Sequence, residues 1–285
     1  MSNAKQKILF ITGTRPEAIK IAPVILKLRE SADLQPVLLH TGQHDAIAID
    51  AYKFFGIEPD YQIDLQRRSN TLAHLTAILV EPIFEIIQKV SPSMVVVHGD
   101  TTTTKVAALA AFYAQVPVAH VEAGLRTYEK YSPFPEEMNR TIVAKIADLH
   151  FSPTLNSEAA LHKEGVDQKN VFVTGNTAVD AALIASALTK GKSIKTIHAG
   201  LADLDEENSK VVLVTAHRRE NWGEGIKNIA QAVCELAKSH PELEFVWPVH
   251  PNPSVKEVAV TTREEMGSPK NVRLIDPLDY SDLVH

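Results

Sequence analysis

From Lys7 onward the chain alternates short apolar runs rich in Val, Ile and Leu with longer amphipathic segments, and no other feature narrows its folding options so far. The runs begin with Ile8 to Thr12, Val37 to Thr41, Met94 to His98, Val116 to Glu122 and Val171 to Thr174. Helical spacing occupies the intervals, over Glu17 to Glu30, Leu72 to Lys89, Lys105 to Gln115, Glu136 to Ala147 and Ala178 to Leu188. Runs that are apolar throughout suit strands covered on both faces, and strand-helix alternation suits a parallel sheet. The expected fold class is α/β, doubly wound.

With about 150 residues per domain as a guide, 285 residues leave room for two. The alternation breaks over Thr189 to Lys210, a polar stretch with Gly191, Gly200 and the acidic residues Asp203, Asp205, Glu206 and Glu207, expected as a surface excursion. It restarts with a strand over Val211 to Ala216, a helix over Gly225 to Ser239, a strand over Leu243 to Val249, a helix after Pro253 and a strand over Val272 to Ile275. The expected domains are 1–175 and 176–285, both Rossmann-like. The second offers only three clear strands and stops in what reads as the first turn of a helix, so it is expected to be incomplete at its C-terminus.

Composition excludes several classes. At 45% hydrophobic and 22% charged, both halves can bury a core. A net charge of -6 leaves no basic excess for counterion release, so no nucleic-acid partner is expected. The single cysteine, Cys234, rules out an intrachain disulfide and reads as a core residue four positions after Ala230. No Cys-x-x-Cys pair is present, and no metal is expected. No apolar run approaches the roughly 20 residues of a membrane span, and the expected location is the cytoplasm.

Ligands of doubly wound sheets bind beyond the carboxyl ends of the strands, and the residues found there are polar and charged. After the first strand come Gly13, Thr14, Arg15, Pro16 and Glu17, where Pro16 suits the start of a helix. The helix N-terminus with Arg15 beside it reads either as a phosphate site or as an ordinary turn carrying a surface arginine. The loop lacks the P-loop lysine and the Gly-x-Gly-x-x-Gly pattern, which argues against an ATPase or a Rossmann dehydrogenase, and no cofactor is expected. Gln43 lies in the polar loop after the second strand. Asp100 follows Met94 to His98 and precedes four threonines, so Asp100 or Thr101 could simply cap a helix. Glu122 ends the next strand, and Glu136, Glu137 and Arg140 open the following helix. Each carboxylate alone has a structural explanation, but several at one sheet edge are harder to explain so. In the second half, His217, Arg218, Arg219 and His250 follow successive strands and suggest a neutralised phosphate.

The runs Gly13-Thr14-Arg15-Pro16-Glu17-Ala18-Ile19-Lys20, His98-Gly99-Asp100 with Thr101 to Thr104, His120 to Thr127, Pro135 to Arg140 and His217-Arg218-Arg219-Glu220-Asn221 closely resemble the bacterial non-hydrolysing UDP-N-acetylglucosamine 2-epimerases. The resemblance implies two Rossmann-like domains of the glycosyltransferase-B type and interconversion of UDP-GlcNAc and UDP-ManNAc through eliminated UDP and 2-acetamidoglucal. It implies Asp100, Glu122 and Glu136 as acid-base carboxylates and His217 as a catalytic or leaving-group residue. It also implies Arg15, Lys20, Arg218 and His250 as substrate-binding residues. A second UDP-GlcNAc, bound as activator, would meet Gln43, Asn70, Glu136, Arg218 and His250, although members commonly carry Gln where this chain has Asn70. The resemblance further implies a homodimer, and a nucleotide-contacting segment beyond position 285. Two rivals stay open: a hydrolysing epimerase or glycosyltransferase of the same architecture, and a catalytically silent nucleotide-sugar-binding module.

Overall fold

The computed structural model describes residues 5–43, 45–205, 207–216, 221–250 and 252–285. Seven strands form its larger sheet: β1 (Gln6–Thr12), β2 (Leu34–His40), β3 (Tyr61–Gln62), β4 (Met94–His98), β5 (Val118–Val121), β6 (Leu149–Ser152) and β7 (Val171–Val173). Their order is β3-β2-β1-β4-β5-β6-β7, and every pairing is parallel. The chain steps from β1 outward to β3 and then returns to the other side of β1 with β4. Strand order therefore reverses between β1 and β4, which opens a crevice beyond their carboxyl ends.

The helices of this unit are α1 (Arg15–Arg29), α2 (Asp45–Phe54), α3 (Leu72–Val90), α4 (Thr102–Tyr113), α5 (Glu136–Ile146), α6 (Leu155–Lys163) and α7 (Thr177–Thr189). Leu75, Leu79, Ile83, Ile87 and Val90 recur at helical spacing on α3 and are buried with Leu9, Ile11, Leu39, Val95 and Val97 of the strands. Phe10 alternates with Leu9 and Ile11 and is buried on the opposite face, so β1 is covered on both sides. On α4, Ala107, Ala108, Ala110 and Ala111 are all buried, and their small side chains let the helix pack against both α3 and α5.

The α/β reading holds, and the strands over Ile8 to Thr12, Met94 to His98 and Val171 to Thr174 fall where the apolar runs place them to within two residues at each end. Four elements were not expected: α2, β3, β6 and α6. Strand β6 alternates half-buried and buried residues and carries His150 and Ser152, so it lacks the continuous apolar signature. The chain divides into compact units of residues 1–184 and 185–285, the division falling within α7.

In the second unit β8 (Lys210–Leu213), β9 (Leu243–Pro248) and β10 (Val272–Ile275) form a parallel sheet in the order β10-β9-β8. Helices α8 (Glu224–Ser239), α9 (Pro253–Glu265) and the short α10 (Tyr280–Val284) accompany it. Phe245 and Trp247 pack with α8 and α9, while Val246 between them faces the other way. Its partners correct the reading of residues 189–210 as a surface excursion. Leu201 is buried against Val246 and Ile275, with Ile194 and Ile197 packed beside it, and Leu204 is buried as well. Apolar residues at spacings of three and four were masked there by neighbouring lysines and acids. Cys234 is a buried free thiol. No helix among the described residues is long and apolar enough to cross a membrane.

Three histidines lie buried on adjacent strands of the larger sheet: His98 ending β4, His120 on β5 and His150 on β6. Burial lowers His98 to about 4 and His120 to about 3, from an ordinary value of 6.5. Between those values and 6.5 the unfolded chain binds protons that the fold refuses, so stability is complete above 6.5 and is lost as pH falls toward 4. We expect the melting temperature to decline below that value and both rings to remain neutral by NMR at about pH 5. Rings that titrate near 6.5 would contradict this account.

Candidate functional site

The crevice is built from turns that follow strands. Gly13 after β1 has no room for a side chain, because a Cβ would run into the hydroxyls of Thr41 and Thr103. After β4 come Gly99 and Asp100. Of the two candidate caps, Thr101 is the one used, its side chain accepting from the Thr104 N–H at 3.1 Å. That leaves the Asp100 carboxylate available. Glu122 after β5 has φ of 62°, a left-handed conformation that a non-glycine residue holds only when its surroundings impose it.

Those surroundings are explicit. Lys20 Nζ donates to Glu122 Oε1 at 2.9 Å and to Oε2 at 2.7 Å, and Asn176 Nδ2 donates to Oε2 at 2.9 Å. His98 Nε2 lies 3.8 Å from the same oxygen. Burial by itself pushes the Glu122 carboxyl up, but the His98 charge, the Lys20 ammonium and the Asn176 amide outweigh it, and the group sits below the usual range. Because His98 is neutral at pH 7, Lys20 and Asn176 are what hold the carboxylate ionised there.

Asp100 is shifted the other way. Burial raises its carboxyl, Arg140 opposes that, and the charges of Glu136 and Glu122 add to the rise. Arg140 Nη2 stands 3.1 Å from Asp100 Oδ2, and Asn139 Nδ2 donates to the Asp100 carbonyl at 2.8 Å. Glu136, in the first turn of α5, lines an open pocket of about 250 Å³ together with Gln43, Thr14, Thr101, Leu72 and Asn139. Glu122 and Glu136 are therefore each within electrostatic reach of Asp100, so the three carboxylates named from sequence gather around it.

Glu137 differs in kind from Glu136 beside it. It is buried, accepts from the backbone N–H groups of Thr127 and Tyr128 at 3.0 and 2.9 Å, and has Arg140 Nε 3.5 Å away. Burial raises its carboxyl, but those bonds outweigh the effect and lower it. Glu137 thus anchors the chain entering the site, besides standing in the first turn of the helix as the sequence places it.

The N-terminus of α1 requires a correction. The N–H groups of Gly13 and Thr14 are not free for a phosphate, since they donate to Glu17 Oε2 at 3.0 and 2.8 Å. Arg15 is exposed and makes no hydrogen bond or ion pair among the described residues, whereas Lys20 is engaged by Glu122.

Gln43 Oε1 accepts from the Thr103 hydroxyl at 2.8 Å, and Asn70 is exposed just before α3. His250 lies in the second unit, its Nδ1 accepting from the Asn252 N–H at 3.1 Å and its ring 6.4 Å from that of Trp222. His217, Arg218 and Arg219 lie outside the described residues. Among the described residues no three His, Cys, Asp or Glu side chains converge to hold a metal ion. Sequence reading missed Asn176 as a partner of Glu122 and Arg140 as a partner of Asp100. Asn176 follows Gly175 just past β7, so inspecting every strand end would have found it.

Lys20, through two hydrogen bonds and its charge, is one of the groups that lower Glu122. In a Lys20→Met variant the carboxyl should titrate at higher pH than in the unmodified protein, because burial is then opposed by less charge. The Glu122 Cδ resonance, assigned by its loss in Glu122→Gln, reads this directly. An unmoved titration would show that the ion pair does not hold the group.

A family model described as UDP-N-acetylglucosamine 2-epimerase matches residues 26–285. The chain is 42% identical over 279 residues to the UDP-N-acetylglucosamine 2-epimerase of Neisseria meningitidis serogroup A, covering 98% of this chain and 74% of that one. The crystal structure of UDP-GlcNAc 2-epimerase from Neisseria meningitidis bound to UDP-GlcNAc is similar with a TM-score of 0.85 and 41% identity, over 98% of this chain and 74% of that one. The S. aureus MnaA-UDP co-structure is similar with a TM-score of 0.81 and 42% identity, over 98% of this chain and 71% of that one.

Proposed function

The chain belongs to the UDP-N-acetylglucosamine 2-epimerase family, and we propose that it interconverts UDP-GlcNAc and UDP-ManNAc by inverting C2 of the sugar. The observation that carries this reading is the gathering of Asp100, Glu122 and Glu136 at one sheet edge, with Asp100 and Glu122 shifted in opposite directions. Relatives similar over nearly the whole chain have been crystallised with UDP-GlcNAc and with UDP, and those are the ligands proposed here.

The chemistry explains the need for such a pair. No carbonyl adjoins C2, so its hydrogen is barely acidic and direct removal at neutral pH is out of reach. When the C1–O bond to the diphosphate breaks first, positive charge develops at C1 and acidifies that hydrogen. A carboxylate takes the C2 proton, the C–H electrons form the C1=C2 bond, and 2-acetamidoglucal and UDP result. Delivery of a proton to the opposite face of C2, with return of the UDP oxygen to C1, completes the inversion.

A base must start ionised and an acid must start protonated, and groups whose environments push them apart are suited to the two roles. Glu122, kept ionised by Lys20 and Asn176, is assigned to take the proton. Asp100, raised by burial and by the charges of Glu136 and Glu122, is assigned to supply one. Arg15 and Lys20 in the first unit and Arg218 and His250 in the second are each proposed as substrate-binding residues, and His217 as a catalytic or leaving-group residue, since charge developing on a departing diphosphate needs cationic or N–H partners.

The pocket lined by Gln43 and Glu136 is proposed to accept a second UDP-GlcNAc as activator, with Asn70 near its rim, as Leu72 two residues on is part of the lining. Initial rates should then rise sigmoidally with UDP-GlcNAc, and a hyperbolic curve would overturn activation. The protein is proposed to act in the cytoplasm as a homodimer, which sedimentation tests.

Incubation with UDP-GlcNAc in D2O, followed by NMR, tests the reaction. UDP-ManNAc deuterated at C2 is expected. Free ManNAc with UDP would indicate a hydrolysing enzyme instead, and saturable binding without turnover would indicate a binding module. Asp100→Asn and Glu122→Gln should each lower turnover by about 100-fold or more, the usual scale for acid-base groups. Near-normal rates in either would remove that residue from its role.

A further inference from the structure

Glu17 is the most deeply buried carboxylate of the site, and none of the steps above uses it. It occupies the third position of α1. Its Oε2 accepts from Gly13 N at 3.0 Å, Thr14 N at 2.8 Å and Thr14 Oγ1 at 2.7 Å. Its Oε1 faces the hydroxyls of Thr101 at 2.8 Å and Thr104 at 3.0 Å. The Thr104 hydroxyl has one proton and a closer acceptor, the His98 carbonyl at 2.6 Å, so Thr101 is the donor that binds Glu17 to α4.

A glutamate at the third helical position needs only its own N-terminal turn to do its local work, and it can do that in water. Glu17 instead bridges two helix N-termini across the reversal in strand order, with burial raising its carboxyl and the bonds from Thr14, Thr101 and Gly13 opposing. The residue it reaches is the N-cap of α4 and the immediate neighbour of Asp100. From α5, Arg140 and Asn139 hold Asp100 by its side chain and carbonyl. From α1, the only hold on that turn among the hydrogen bonds described above is Glu17 through Thr101.

We propose that Glu17 is a positioning residue for Asp100: through Thr101 it fixes the turn after β4 against the turn after β1, setting where the Asp100 carboxyl stands relative to the Lys20–Glu122 pair. This rests on the reading that Asp100 moves a proton during epimerisation.

Glu17→Gln separates the two halves of the clamp. The carboxamide oxygen can still accept from Gly13 and Thr14, but its NH2 then faces Thr101, whose hydroxyl must accept where it formerly donated. Thr101→Val cuts the same link from the other side, and Thr101→Ser keeps it. We expect Glu17→Gln and Thr101→Val each to lower kcat by about tenfold to a hundredfold, the scale of a small misplacement of a reacting group. For Glu17→Gln the UDP-GlcNAc concentration that gives half-maximal rate should stay within about twofold, and Thr101→Ser, which keeps the hydroxyl, should retain near-normal turnover. In an Asp100→Asn background, neither substitution should lower the residual rate further. An equal loss in both backgrounds would mean that Glu17 merely supports the fold, and the proposal would fall. It would also fall if Thr101→Ser were as impaired as Thr101→Val. If the unmodified protein makes no UDP-ManNAc, the epimerase reading fails at that control, before any variant is compared, and takes the proposal with it.

Discussion

The parallel pairing of β1 with both β2 and β4 is the constraint on which the rest depends. A strand in that position must be apolar on both faces, as Leu9, Phe10 and Ile11 are, and must send its chain away over one side while another strand leaves over the other. The crevice is the geometric result of that divergence. Its walls approach so closely that Gly13 has no space for a Cβ between Thr41 and Thr103. Site and core are therefore parts of one packing arrangement: α4, whose alanines let it lie tightly against α3 and α5, also presents Asp100 at its entrance.

Carboxylates collected in so small a volume would ordinarily protonate or repel one another apart. Each is instead met by a different partner. Glu122 has an ammonium and an amide, Glu137 has two backbone N–H groups and a guanidinium 3.5 Å away, and Glu17 has two N–H groups with the hydroxyls of Thr14 and Thr101. The resulting shifts differ in direction although the chemical groups are alike, Glu17 being raised and Glu122 and Glu137 lowered. Local partners, more than residue type, divide the labour here.

Much of this was legible in the sequence because the signals were local. A doubly covered strand is apolar along its whole length, and the residues after it stand at the sheet edge by construction, so Asp100 and Glu122 could be placed there from sequence, while their acid-base roles came only with the family resemblance. Strand β6 could not be seen the same way, since His150 and Ser152 break its apolar run. Nor could the burial of Leu201 and Leu204, set among charged neighbours. The partners of the carboxylates were hidden for another reason. Lys20 and Glu122 are 102 residues apart and Thr101 and Glu17 are 84, and no spacing rule connects residues at such distances. At the turn before α1 the phosphate reading overlooked Glu17, which lies in the same motif and takes the N–H groups of Gly13 and Thr14.

The overall charge of -6 gives little guide to the site. Around the crevice stand Glu17, Asp100, Glu122, Glu136 and Glu137, against which only Lys20 and Arg140 make close ion pairs among the described residues. Fixed dipoles make up part of the difference: the N-terminal turns of α1 and α5 each hold carboxylates, and backbone N–H groups bind Glu17 and Glu137. Arg140 is shared between Asp100 and Glu137, and Glu137 has two backbone donors besides. Asp100 has no comparable set, while Glu136 and Glu122 bear on it from nearby. These surroundings raise Asp100 and lower Glu122, the opposite shifts that the proposed division of proton transfers calls on.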